Sequence, residues 1–278
     1  MELFKNIRAV VRLVIFFIAG ITLLITDTFI LLTIRPFSKT FCRKISLYFG
    51  PFWGKLFITI LGIHLTVTGR ENWRKNRHYC IISNHMSYLD ILVTGALFPA
   101  LFVSRHDVKY WPLLGAIAWV RGSIFVDRSI TGSKERPYVK QIIEYLEKGF
   151  NVIIFPEGKT SNGEGVSPFK KTVFSCPTRA NIPILPITIQ YTRINREPFS
   201  GQNRDKVCWY GEMTFIDHFR KLLKLSRIDV TITIHPPVRE KQEDDWLNQN
   251  RRLSVKIHDI IAAGYPGFNG TPTFSSLS

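Results

Sequence analysis

Acidic residues are scarce in this chain, cysteines are few, and none of them stand close together. Only 21 Asp and Glu oppose 37 Lys and Arg, a formal net charge of +16 over 278 residues. That imbalance calls for an anionic partner: nucleic acid, a charged membrane surface, or a phosphorylated substrate. Cys42, Cys80, Cys176 and Cys208 form no CxxC pair. A metal ribbon and a disulfide framework are both excluded, and the residues read as free thiols in a domain facing a reducing cytoplasm. His64, His78, His106, His218, His235 and His258 lack ligand spacing, so no metal is expected. The chain has no G-x4-G-K-[ST] phosphate loop, no internal repeat, and no zinc-finger, RNP or basic-zipper pattern. Nucleic acid therefore drops out as a partner. With 45% hydrophobic and 13% aromatic residues, the chain is too apolar for disorder, yet too charged for a polytopic membrane protein.

What is present divides the chain unevenly. Leu13 to Thr26 carries no charge, and after Asp27 the apolar character resumes through Ile34. A helix over Leu13–Ile34 would rise about 33 Å, enough to cross a hydrocarbon core, but Asp27 would then sit inside the bilayer. A second apolar stretch, Ile45 to Ile63, carries Lys55 and breaks at Gly50-Pro51. A hairpin embedded in one leaflet, with Arg35, Lys39, Arg43 and Lys44 at headgroup level, fits at least as well as a spanning helix. A signal peptide and a buried core helix are the other readings; the first lacks a clear small-residue cleavage site.

From His64 onward, short apolar runs alternate with amphipathic ones. HLTVTG, YCIIS, LFVS, SIFVD, NVIIF, ILPITIQY, VCWYG and DVTITIHPPV read as strands. Tyr88–Leu97, Trp111–Val120, Lys134–Lys148, Phe169–Ala180 and Asp244–Ala263 read as helices. The expected fold is α/β: a mixed, mostly parallel sheet of about seven strands flanked by helices, with an N-terminal membrane-embedded helical hairpin. Residues 1–63 form the anchoring segment, 64–263 the α/β domain, and 264–278 a turn-rich, poorly ordered tail. Arg220, Lys224 and Arg227 recur at i, i+4, i+7 among leucines, which reads either as a basic amphipathic helix for anionic headgroups or as a plain surface helix.

Two loops concentrate the chemistry. SNHMSYLD, Ser83 to Asp90, follows an apolar strand, a usual place to present reactive groups. His85 and Asp90 would lie about 140° apart on a regular helix, so they meet only if His85 is in the loop and Asp90 in the first helical turn. The carboxylate could then hold the imidazole as a proton acceptor for a substrate hydroxyl. Ser87-x-x-Asp90 is also a capping box, and the two readings are compatible. NVIIFPEGKTSNGEG ends a strand at Pro156 and delivers Glu157, Gly158, Lys159 and Thr160 into a glycine-rich turn. It reads either as a ligand loop or as a tight turn with solvated charges. RGSIFVDRS places Arg128 at a strand exit, suited to phosphate or carboxylate or to a surface ion pair. NIPILPITIQY enters its strand through prolines at 183 and 186.

Taken in order, these segments resemble the glycerolipid acyltransferase superfamily, typified by bacterial 1-acyl-glycerol-3-phosphate acyltransferases. The family's N-H-x4-D block is matched by Asn84, His85 and Asp90, and its G-x-x-F-[IV]-x-R block by Gly122, Phe125, Val126 and Arg128. Its F-P-E-G-T-R-S block is matched in part by Phe155, Pro156, Glu157, Gly158 and Ser161, and its proline block by Ile182, Pro183 and Pro186. The resemblance spans about residues 80 to 190. It implies that His85 acts as general base on the acceptor hydroxyl, oriented by Asp90. The oxygen attacks an acyl thioester and coenzyme A or acyl carrier protein leaves; the thioester is a substrate, and no cofactor is implied. Asn84, Gly122, Arg128, Glu157, Gly158, Lys159 and Thr160 would form the substrate site, with Arg105 as a further phosphate contact. The implied partners are membrane lipids, a lysolipid acceptor and the acyl donor, with the active domain on the cytoplasmic face of a membrane.

One departure stands out. Lys159-Thr160 replaces the family's Thr-Arg, so any positive charge there is a point charge without arginine's fork. The acceptor is expected to be 1-acyl-glycerol-3-phosphate, with another lysophospholipid or a lyso-ornithine lipid as the alternative. A non-catalytic lipid-binding protein is the rival from a different class. Lipid A-type acyltransferases share the first block, but the F-P-E-G block argues against them.

Overall fold

The computed structural model describes residues 2–127 and 136–265. Three helices come first: α1 (Glu2–Ile34), α2 (Lys39–Tyr48) and α3 (Gly50–Ile60). Helix α1 carries Glu2, Lys5, Arg8 and Arg12 in its first turns and an apolar stretch from Leu13 onward, and by length and composition it could cross a membrane. Its buried residues, Phe16, Ala19, Gly20, Leu23 and Asp27, follow the i, i+3, i+4, i+7 spacing of a single helical face. The opposite face, including Val14, Phe17, Ile18, Ile21, Ile25, Phe29 and Leu32, is exposed. Pro36 and the Ser38 cap turn the chain into α2, and Pro51 separates α2 from α3. The second arm of the hairpin is thus two short helices.

Strands β1 (Ile63–Thr68), β2 (Cys80–Ser83), β3 (Ala100–Arg105), β4 (Ile124–Val126) and β5 (Asn151–Ile154) follow. They alternate with α4 (Leu89–Gly95), α5 (Leu114–Val120) and α6 (Pro137–Glu147). The chain continues through α7 (Ser175–Arg179), β6 (Ile184–Ile194), β7 (Glu197–Pro198), α8 (Phe215–Leu223), β8 (Ile228–Ile234) and α9 (Trp246–Ala263). The sheet order is β1-β8-β6-β2-β5-β3-β4, with β7 paired to β6. Every pairing on this path is parallel except β6 with β8. The mixed, mostly parallel α/β sheet expected from the sequence is what forms. Strands β2 and β5, buried at every residue, are the continuous apolar runs that a sheet covered on both faces requires.

Several expected elements differ. Val207–Gly211 is not a strand. It follows a tight turn at Arg204–Lys206 and crosses the loop after β2, where Trp209 N–H donates to Met86 O at 2.9 Å. Its apolar character reflects burial of Val207 and Cys208, not a ladder. Phe169–Ala180 breaks into a 3₁₀ turn and the short α7, because Lys170 N–H is held by Pro156 O at 3.0 Å and Pro177, in the first turn of α7, has no N–H to bond back to Val173. Pro112 delays α5 to Leu114. The basic run does not form one helical face: α8 stops at Leu223, and Arg227 pairs with Asp229 at 2.7 Å. Arg128 and the tail from residue 266 lie outside the described residues.

The N-terminal helices share one hydrophobic core with the sheet, in which Phe16, Leu23, Phe57 and Leu61 join Ile81, Leu185 and Ile232. Arg8 donates to the carbonyl of Lys224 and Arg12 to that of Leu225, so α1 caps the carbonyl-rich end of α8. Asp27, read from the sequence as a carboxylate stranded in lipid, is buried against protein instead. Arg121 Nη1 donates to it at 2.7 Å and Ser46 Oγ at 2.9 Å. Removing one member of such a buried pair costs about 3–5 kcal/mol, whereas replacing both can be neutral. We therefore expect Arg121→Ala to lower unfolding stability by that amount in denaturant titrations, and Asp27→Leu/Arg121→Met to recover most of it.

Candidate active site

Parallel pairing brings the chemical blocks together. Ile82 of β2 lies in register with Ile154 of β5, so the loops that follow leave the same edge of the sheet side by side. Strands β3 and β4 end at the same edge next to β5. This is where open α/β sheets place their ligands.

His85 lies in the loop after β2 and Asp90 in the first turn of α4, the one arrangement in which they can meet. His85 Nδ1 is 2.8 Å from Asp90 Oδ2. The same oxygen accepts the backbone N–H of Met86 at 2.6 Å and of Ser87 at 2.9 Å, while Tyr191 O–H donates to Oδ1 at 2.7 Å. Asp90 is completely buried. The bond from Ser87 N–H is the half of the capping box that the Asp90 carboxylate supplies. With Nδ1–H donated to the carboxylate, Nε2 is the ring nitrogen left to accept a proton. The imidazole also stacks on Phe155, with ring centroids 4.1 Å apart and planes 16° off parallel.

Three expected substrate residues have other tasks. Asn84 is buried, and both ends of its amide engage β6: Nδ2 donates to Ile189 O at 2.9 Å and Oδ1 accepts Ile189 N–H at 2.8 Å. Glu157 accepts His85 N–H at 2.6 Å and Ser167 N–H at 3.0 Å, bracing the loop after β2 against the loop after β5. Burial pushes the Glu157 carboxyl above its ordinary range, opposed by those two donors. Gly122 has φ 77°, and a Cβ there would fall 1.6 Å from the Arg43 guanidinium, so it is a packing and turn position.

Arg105, Gly158, Lys159 and Thr160 line a cleft of about 1260 Å³ together with His85. Arg105 is committed to Asp107, with Nε at 2.9 Å and Nη2 at 3.0 Å from its two oxygens. Gly158, at φ 73°, lets the Lys170 side chain cross the loop where a Cβ would meet Nζ at 2.7 Å. From His85 the cleft runs between helices, past Tyr88, Leu92, Trp53, Phe57, Ile117, Phe219 and the α1 residues Phe16 and Leu23. Its lining is mostly apolar.

Sequence reading missed Tyr191, Phe155 as a ring partner, and the cleft cations Lys170 and Arg136. Tyr191 had one available signal: a tyrosine closing a buried strand needs a partner for its hydroxyl. Among the described residues no cluster of three or more His, Cys, Asp and Glu could hold a metal.

Residues 64–190 match the sequence model of the Acyltransferase family. The lyso-ornithine lipid O-acyltransferase of Brucella abortus (strain 2308) is 26% identical over 223 residues, covering 78% of this chain and 82% of that one. The 1-acyl-sn-glycerol-3-phosphate acyltransferase of Neisseria gonorrhoeae is 33% identical over 138 residues, 50% of this chain and 53% of its own. The crystal structure of the 1-acyl-sn-glycerophosphate acyltransferase from Thermotoga maritima shares the fold, with a TM-score of 0.69, 22% identity, and coverage of 94% of this chain and 96% of that one. The resemblance read from four short blocks is therefore matched in sequence over residues 64–190 and in fold, and that stretch is an acyltransferase domain.

Two outcomes follow from this geometry. Tyr191→Phe, which removes one donor to a buried carboxylate, is expected to cost about 1–2 kcal/mol and to lower kcat about tenfold at unchanged KM. Burial also holds His218, hydrogen-bonded to Tyr88 O–H at 2.8 Å, and His235 below the ordinary 6.5. Between their folded values and 6.5 the unfolded chain binds more protons, so stability falls as pH drops through that window. His218→Gln should flatten this slope in unfolding measured across pH.

Proposed function

We propose that the protein moves a fatty acyl group from a thioester, carried by coenzyme A or acyl carrier protein, to the free hydroxyl of a membrane lysolipid. The observation that carries this reading is the His85–Asp90 pair at the head of a long apolar cleft. His85 Nε2 takes the proton of the acceptor hydroxyl as that oxygen attacks the thioester carbonyl; Asp90 holds Nδ1–H and faces the imidazolium as it forms. The thiolate then leaves and takes up the proton held at His85 Nε2, which restores the neutral ring. The apolar reach past Leu92, Phe57 and Phe219 accommodates the acyl chain, and Lys159 with Lys170 faces the acceptor's anionic group. Asn84 and Glu157 act as positioning residues, holding the His85 loop to β6 and to the Glu157 turn.

The acceptor we assign first is 1-acyl-glycerol-3-phosphate, whose product would be phosphatidic acid. Lyso-ornithine lipid is the second reading. It is favoured by the Lys159-Thr160 departure. The exposed apolar face of α1 lies in a membrane leaflet, with the α/β domain on the cytoplasmic side.

Membranes containing the protein, supplied with labelled acyl-CoA or acyl carrier protein and a panel of lysolipids, test the assignment. One lysolipid should become acylated, and His85→Ala should lower the rate by about 10²–10⁴-fold. Undiminished transfer in that variant, or no transfer to any acceptor, would overturn it. Product from lyso-ornithine lipid alone would select the second reading.

A further inference from the structure

At the base of the hairpin, apart from the cleft, a second cavity of about 240 Å³ opens between the α1–α2 turn, the end of α5 and the turn from α6 to β5. Arg35, Lys39, Arg43 and Lys148 all line it. Its wall contains one carboxylate, Asp27, which is already bound by Arg121 at 2.7 Å and Ser46 at 2.9 Å. Among the described residues no carboxylate forms an ion pair with Arg35, Lys39 or Arg43, and Lys148 reaches Glu144 only at 3.8 Å. Cations gathered around a concave space repel one another unless an anion from outside joins them.

The site also has directional donors. Lys39 and Thr40 open the ten-residue helix α2, whose first turn presents backbone N–H groups and the positive end of the helix dipole. Arg43 is half-buried, with Nη1 on Val120 O at 3.2 Å, and the rest of its fork matches a phosphate. Exposed apolar residues close by in the chain identify the carrier of that phosphate: Phe37, between Arg35 and Lys39, is 89% exposed, and Leu32 on α1 and Phe41 on α2 are 67% and 57% exposed. Apolar side chains beside basic ones suit the boundary between acyl chains and headgroups.

We infer that this pocket binds a phosphate group, and that its source is the headgroup of an anionic membrane phospholipid held apart from the catalytic cleft. Arg43 connects the two regions, since its guanidinium rests against the Gly122 turn that leads from α5 into β4. The site rests on the membrane-facing reading of α1 and not on the chemistry at His85. Acyl transfer measured on the same preparations in detergent therefore reports separately on the proposed reaction.

Lysine acetylation, read by mass spectrometry on the full chain, tests the site. The probes are phosphatidylcholine vesicles, the same vesicles with phosphatidylglycerol, and phosphatidylcholine vesicles with inorganic phosphate. Phosphatidylglycerol is expected to slow acetylation of Lys39 and Lys148 about fivefold while Lys256, on α9, changes little. Arg35→Gln and, separately, Arg43→Gln should remove that protection and leave Lys256 as it was. Equal slowing of all three lysines would show diffuse attraction and overturn the pocket, as would no slowing. Protection by inorganic phosphate in place of phosphatidylglycerol would overturn the lipid source.

Discussion

Everything at the active edge depends on the buried carboxylate of Asp90. Four donors converge on it from two parts of the chain: the His85 ring and the backbone amides of Met86 and Ser87 in the loop after β2, and the hydroxyl of Tyr191 from β6. A carboxylate buried this deeply is tolerable only when its lone pairs are filled. Filling them fixes the loop after β2, the first turn of α4 and the imidazole in one arrangement. Asn84 ties the same loop to β6, and Glu157 ties it to the turn after β5. The base is therefore held from both neighbouring strands, with Asn84 and Glu157 as the ties that place its loop.

The N-terminal helices belong to this design and are not a detachable anchor. The stripe of α1 that packs against the domain supplies cleft wall at Phe16 and Leu23, and α3 supplies Phe57. The surface that would face lipid and the surface that would hold an acyl chain are thus opposite sides of the same helices. The basic excess also divides. Arg8 and Arg12 cap α8, Arg121 neutralises Asp27, Arg35, Lys39 and Arg43 gather at the hairpin base, and Lys159 and Lys170 lie in the cleft.

Sequence patterns revealed the alternation of strands and helices because β2, β5 and β8 carry it in adjacent residues. They also revealed the His85–Asp90 contact, because loop and helix turn are contiguous. Long-range pairings left no local trace. Nothing near Asp27 points to Arg121, and nothing near Asp90 points to Tyr191, since these contacts arise only when α1 meets α5 and β2 meets β6. Val207–Gly211 misled for a related reason: burial against a loop produces the same apolar run as burial in a sheet. Asn84 and Glu157 carry motif positions whose side chains bond backbone amides, and Gly122 one where a Cβ would strike Arg43, a distinction that spacing alone does not contain.

The central claim is that Asp90 fixes His85 in the form that accepts a proton at Nε2. Nitrogen-15 NMR of the enzyme labelled in its histidine rings tests it most directly, with the His85 resonances assigned by their loss in His85→Gln. In the neutral ring, the account predicts a protonated Nδ1 hydrogen-bonded to carboxylate and an unprotonated Nε2. A neutral His85 with its proton on Nε2 would contradict it.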